Sequence, residues 1–367
     1  MRPTTLGATA LAVLLATTIG AQAADLGGNC CADLEERVAE LEATTARKGN
    51  RRMSVEVYGQ VNAAILYHDR DDVIAKQSKV IDNSVSSTRF GFRGKGKINA
   101  EYAAGFRMEF DANVETGGSP TVRHAYVWIQ SKALGRASIG QQSQATDGVM
   151  EIDLSRSSVV SLNASLAPFD SFVKGQTTLG VINPFDGGRK QSVKWASPVM
   201  AGFAVSASWS DDDTYDVALR YAGEFGGLAV AAGVGYRDDG IRTFHGGSAS
   251  AKHLKTGLFL NGFWGRSDGI QQAEFMGIVF PVGDAELTTY GGRAGVENKV
   301  AAGILATFFG EYAKLEIAGV DLDASMVGGG LNFHIEAAAM DVYIGVRQYK
   351  IGDEDVTVGI AGSRIQF

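Results

Sequence analysis

Basic side chains recur at short intervals in Arg89-Phe-Gly-Phe-Arg-Gly-Lys-Gly-Lys97. On an extended chain that spacing puts Arg89, Arg93, Lys95 and Lys97 on one face and Phe90 and Phe92 on the other. Arg107 and Arg123 repeat the pattern on the next two segments, and Arg107 shares its face with Glu109. The stretch 143–188 supplies the opposite sign through Asp147, Glu151, Asp153, Asp170 and Asp186, beside Arg156 and Lys174. None of this resembles a machine for covalent chemistry. A hydrolase needs a nucleophile, a base and an orienting group within reach. No Gly-x-Ser-x-Gly occurs, and His68, His124, His245, His253 and His334 stand singly. Cys30 and Cys31 are adjacent, so they build neither a disulfide framework nor a zinc site. We expect no catalytic residue, no metal and no cofactor. Opposed rows of charge can instead sort ions.

The elements that carry these charges read as strands. From Ser54 to His68 the odd positions are Val55, Val57, Gly59, Val61, Ala63, Ile65 and Tyr67, while the even positions are mostly polar. Tyr102, Ala104, Phe106, Met108 and Phe110 likewise alternate with Ala103, Gly105, Arg107, Glu109 and Asp111. Met340, Val342, Ile344 and Val346 do the same near the end. Sixteen such runs span 53–67 to 355–367, among them 251–266, 270–280 and 286–298. Several connections hold two or three residues, whereas 69–86, 143–188 and 238–250 are long. An even number of ten-residue strands with short turns at one end and long loops at the other describes a transmembrane β-barrel. The expected fold is all-β: a sixteen-stranded antiparallel barrel over 53–367, preceded by a short N-terminal periplasmic helix.

Composition narrows the reading further. The chain has 367 residues with 47 Gly and only 6 Pro, which suits a curved sheet whose ladders use every N–H. A net charge of −7 with mixed signs gives no case for a nucleic-acid partner. Mean hydropathy is −0.01, and beyond the first twenty-odd residues no apolar run is long enough for a membrane helix. That first stretch has Arg2, an apolar run from Leu6 to Ile19, and Ala21-Gln22-Ala23, the features of a cleaved signal peptide over 1–23. Within 24–52, Leu34, Val38 and Leu41 form a heptad-like stripe, short for an independent coiled coil.

A sixteen-stranded barrel is too wide for side chains to fill and encloses water. The connection at 143–188, if folded inward, would narrow that channel and set its carboxylates against the basic wall. Arg93 and Arg107 are the foremost candidates for the constriction.

Asp33-Leu-Glu-Glu-Arg-Val-Ala-Glu-Leu-Glu-Ala-Thr-Thr-Ala-Arg-Lys-Gly-Asn50, followed by Val55-Glu-Val-Tyr-Gly-Gln-Val-Asn62, resembles the porins of alphaproteobacteria. Ser87-Thr-Arg-Phe-Gly-Phe-Arg-Gly94, Arg123-His-Ala-Tyr-Val-Trp-Ile129 and the final Phe367 carry the same likeness. The resemblance implies a homotrimer in the outer membrane, in contact with its lipids, passing small hydrophilic solutes and ions. It matches Arg89, Arg93, Arg107 and Arg123 to the basic wall, and Asp147, Glu151 and Asp153 to the acidic loop. A substrate-specific channel is the nearest alternative. An outer-membrane anchor touching the cell wall through residues 25–50 is a more distant one.

Overall fold

The computed structural model describes residues 53–70, 77–112, 114, 117–160, 187–211, 213–275, 278–318, 324–351 and 354–367. The expected signal peptide, the expected N-terminal helix and the greater part of the 143–188 connection lie outside these. The strands are β1 (Ser54–Arg70), β2 (Gln77–Ile81), β3 (Arg89–Lys97), β4 (Tyr102–Asp111), β5 (Thr121–Ser131), β6 (Gly135–Ser143), β7 (Arg189–Ala196), β8 (Phe203–Ser210) and β9 (Tyr215–Phe225). They continue as β10 (Leu228–Asp238), β11 (Thr243–His253), β12 (Leu258–Phe275), β13 (Ile278–Ala301), β14 (Ile304–Ile317), β15 (Ala324–Ile335), β16 (Met340–Ile351) and β17 (Glu354–Gln366). From β3 to β17 each strand pairs antiparallel with the next in sequence. β2 and β3 both pair with β1, at Ala64–His68 and Ser54–Gln60 respectively, so together they make one interrupted stave. The barrel therefore has sixteen staves.

It closes where β1 meets β17, from Gln60 opposite Gln366 to Arg70 opposite Val356. The seam ends in a reciprocal pair of hydrogen bonds between Gly59 and Phe367, at 2.9 and 3.0 Å. Gly59 must be glycine here, because a Cβ would stand 2.6 Å from the Phe367 ring.

Alternation decides which side each residue faces. On β14, Thr307, Phe309, Glu311, Ala313 and Leu315 are buried, while Phe308 and Tyr312 are exposed. Val61, Ile65, Val127, Phe308 and Ile344 are each more than half exposed on the outer wall. In water such a belt would be a liability; in hydrocarbon it is the surface that holds the barrel in place. On β4 the same rule points Met108 outward and Arg107 inward, to Tyr58 and Glu109. A cysteine at 108 should react with a lipid-soluble thiol reagent, and one at 107 with an aqueous reagent. The reverse pattern would mean a register shifted by one residue.

Two sequence expectations need correction. Residues 243–250, read as part of the long 238–250 loop, belong to β11, and the run 251–266 is divided between β11 and β12. The run 270–280, read as a separate strand, is the β12–β13 hairpin. The missed strand and the surplus one cancel in the count. β11 escaped notice because Gly246, Gly247, Ser248, Ala249, Ser250 and Ala251 are all small, so neither face carries the bulk that alternation needs.

Candidate functional site

The basic wall is built on β3, β4 and β5. Glu109 is nearly sealed from solvent and collects three donors: Arg107 at 2.5 Å, Arg123 at 3.0 Å and the Tyr58 hydroxyl at 3.0 Å. Arg123 also reaches Asp111 at 3.0 Å. It can do so because the β4–β5 ladder slips: Glu109 faces His124 and Phe110 faces Val122, which leaves Arg123 without a partner in the ladder. A bulge of this kind re-aims one side chain, here into the lumen. Arg93 lies closer to the short-turn end of the barrel. It pairs with Glu56, and both side chains are more than half exposed.

Arg89 is placed by the break between β2 and β3. Residues 82–88 turn inward: the Gln60 side chain donates to the Ser86 and Ser87 carbonyls at 2.8 Å, and Ser87 Oγ donates to Asp111 at 2.9 Å. Arg89 Nε donates to the Ser87 carbonyl at 3.0 Å. Its guanidinium lies within electrostatic range of Arg123, Glu109, Asp111 and Arg189, the first residue of β7.

The first part of the long connection, 144–160, crosses the opposite inner wall. Cations on four alternate strands hold it. Lys194 of β7 donates to the Ser143 and Gln144 carbonyls, and Arg220 of β9 to those of Ala145 and Asp147 at 2.8 and 2.9 Å. Lys252 of β11 reaches the Leu154 carbonyl, and Arg293 of β13 meets the Asp153 carboxylate at 3.1 Å. Further on, Asn83 in the inturned segment donates to the Val159 carbonyl at 3.0 Å. The wall beneath is hollowed to take the loop. A Cβ at Gly233, Gly235 or Gly345 would come within 2.6–2.7 Å of Ile152, Thr146 or Val160. Part of the glycine content thus serves loop seating as well as curvature.

Asp147 and Glu151 are half-buried on this loop and act electrostatically on Arg189. Burial and the neighbouring Asp147 charge push the Glu151 carboxyl up to about 7, against the pull of Arg189. Glu151 is therefore largely neutral at pH 6 and charged at pH 8. Cation preference should rise over that interval, and Glu151→Gln should flatten the rise. A pH-independent reversal potential in the unmodified protein would contradict this environment for Glu151. The folded chain holds a proton that the unfolded chain releases near the ordinary value of 4.5, so this carboxyl erodes stability as pH climbs from there to about 7.

Residues 8–360 match the family model described as Gram-negative porin. The chain belongs to that family. It is an outer-membrane channel protein. Among solved structures, the porin is similar to an anion-selective porin from Comamonas acidovorans, at 15% identity and TM-score 0.61, covering 86% of this chain and 100% of that one. A loop-deletion mutant of the outer membrane protein OmpT of Vibrio cholerae aligns at 17% identity and TM-score 0.61, with the same coverage of both chains. OmpF of Salmonella typhi, solved with daunomycin, aligns at 14% identity and TM-score 0.56, covering 86% and 98%. At these identities the likeness speaks for the fold. No curated protein matches the chain in sequence.

The residues singled out in the sequence are thus distributed unevenly. Arg89, Arg107 and Arg123 share one patch of the porin wall. Arg93 sits apart with Glu56. Asp147 and Glu151 lie on the loop near Arg189. Asp153 is a correction: its side chain is 3% exposed and bonded to Arg293, Asn261 and Ser157, so it fastens the loop rather than facing the lumen. Arg189, Arg220 and Arg293 are not among the residues the sequence singles out. Arg189 could have been suspected as the first charge after the loop returns, whereas the other two look like ordinary inward residues of alternating strands.

Proposed function

We propose that this porin is a passive channel of the alphaproteobacterial type, admitting small hydrophilic solutes and ions without a catalytic step. In this reading the narrow zone lies between Arg89, Arg107, Arg123 and Arg189 on one side and Asp147 and Glu151 on the other. Arg93 lines the wider approach on the short-turn, periplasmic side. The observation that carries the reading is the loop 144–160, fastened to the wall from β7 to β13 and leaving β3–β5 open to the lumen. Opposed charges across a narrow aqueous gap act on passing ions and leave larger vestibules neutral. Export by a signal peptide over 1–23 and assembly as a homotrimer complete the proposal. One of the aligned structures, of Vibrio cholerae OmpT, is a trimer form, which supports that assembly.

The test is single-channel recording in planar bilayers. Stepwise ohmic insertions that close in three equal steps are expected. A protein that inserts without conducting would overturn the channel, and closure in one step would overturn the trimer.

A further inference from the structure

Outside the lumen, the long-loop ends of β8, β9 and β10 bring three aromatic rings and a carboxylate to one stretch of outer wall. Trp209 of β8 stands opposite Tyr215 of β9, and Tyr215 stands opposite Asp238 of β10. Tyr236 shares the face of Asp238, because the alternate residues Gly233 and Gly235 lie against the lumenal loop. Trp209 and Tyr215 are half exposed or more, and Tyr236 is exposed beside them. The two tyrosine rings lie 6.4 Å apart, and both hydroxyls donate to Asp238 Oδ2, at 3.0 and 3.4 Å. Other carboxylates on this rim have cations of their own. Arg266 serves Asp268 at 3.2 Å and Glu286 at 2.5 Å, and Lys314 serves Glu316 at 2.8 Å. Asp238 has phenols instead, and among the described residues no cation stands within ion-pair distance of it. The neighbouring cations are committed elsewhere: Arg242 to Asp239 at 3.0 Å, Lys190 to Thr214 Oγ1, and Arg237 to the lumenal face, over Phe244. His245, opposite Tyr236, packs on the Trp264 ring. Asp211 and Asp213, both exposed between β8 and β9, add negative charge at the same end.

We propose that Trp209, Tyr215, Tyr236 and Asp238 form a site on the outer wall for the ammonium headgroup of a membrane lipid. Hydrogen bonds from two phenols occupy lone pairs of the carboxylate but leave its charge in place. At the edge of the hydrocarbon that charge is poorly hydrated, so it gains most from a cation. Ring faces attract the same cation through their quadrupoles, and an ammonium group within about 6 Å of the ring centroids meets both kinds of attraction at once. The position on the barrel selects a lipid over a free amine. Below the rings the same face continues into Val217, Leu219 and Val234, all exposed on the apolar belt, where acyl chains lie. A free amine has no such second hold. An anionic headgroup would meet Asp238 with like charge.

The probes are phosphatidylethanolamine and phosphatidylglycerol with identical acyl chains, titrated onto the whole delipidated protein in a non-ionic detergent and followed by native mass spectrometry. Without divalent cations, the first phosphatidylethanolamine per chain should bind about fivefold more tightly than the first phosphatidylglycerol, the increment expected of a cation–π contact joined to an exposed ion pair. Asp238→Asn should bring that ratio close to one. Trp209→Leu, which keeps the charge, should lower it about twofold, and Asp238→Glu should preserve it. Asp268→Asn, at a carboxylate that already has Arg266, should leave the ratio in place. Equal affinities for the two lipids in the unmodified protein would overturn the site, as would an Asp268→Asn effect equal to that of Asp238→Asn. A preference for phosphatidylglycerol that appears only with magnesium and vanishes in Asp238→Asn would give the carboxylate to a divalent cation and overturn the ammonium assignment.

Discussion

Asp153→Asn should destabilise the barrel by about 3–5 kcal/mol and unseat the loop, because it removes one partner of a buried ionic group. Arg293 and Arg347 are each 2% exposed, and Glu311 bonds to both, at 3.3 and 2.7 Å. Asp153 is the second carboxylate of this four-charge cluster. Without it, two buried cations share one anion. The side-chain amide keeps the volume, so the destabilisation reflects the lost charge and the loss of one acceptor oxygen among donors from Ser155, Ser157, Asn261 and Arg293. A lower temperature for barrel unfolding in detergent, and noisier open-channel current from a loosened loop, are expected. The double variant Asp153→Asn with Arg293→Gln removes both signs and should recover much of the stability. An unfolding temperature unchanged in the single variant would mean that the cluster does not fasten the loop.

Arg89→Ser combined with Arg189→Ser should shift selectivity strongly toward cations and raise conductance. These two arginines are the informative pair, since neither leaves a carboxylate stranded. In water a unit charge about 5 Å from a passing ion contributes about 0.8 kcal/mol, or roughly a factor of four in local concentration. Each removal raises local cations and lowers local anions by about that factor, so the two together should move the cation-to-anion permeability ratio by on the order of a hundredfold at low salt. In molar salt the Debye length is about 3 Å and the effect should nearly vanish. A ratio that stays put at low salt would remove both residues from the narrow zone.

Much of the barrel was legible because a period of two is hard to mistake over ten residues. The period tells only which side a residue faces. Height along the pore depends on register, and register is a property of pairs of strands. Arg93 and Arg107 face the same side and stand directly opposite each other on β3 and β4. Yet Arg93 is drawn to Glu56 on β1 and Arg107 to Glu109 on its own strand. Arg123 faces the lumen through a one-residue slip that no single-strand pattern contains. The loop acids show the same limit. Asp147, Glu151 and Asp153 read alike as carboxylates, and only the wall reveals that Arg293 waits for the last of them.

The seam between β1 and β17 has a consequence for how the chain reaches this form. Every other stave meets a near neighbour in sequence, whereas the seam joins Val61 to Ile365. Until those ends meet, β1 and β17 are open edges, each with a row of unpaired backbone groups that any other strand could capture. Bringing such distant segments together has a high entropic cost and rewards the chain only at the end, so closure is the slow event. Fifteen staves can zip in order, yet the protein stays vulnerable to pairing with a second copy of itself until the sixteenth contact forms. Refolding yield should accordingly fall with protein concentration, and weakening Gly59 or Phe367 should depress that yield well before it alters the finished channel.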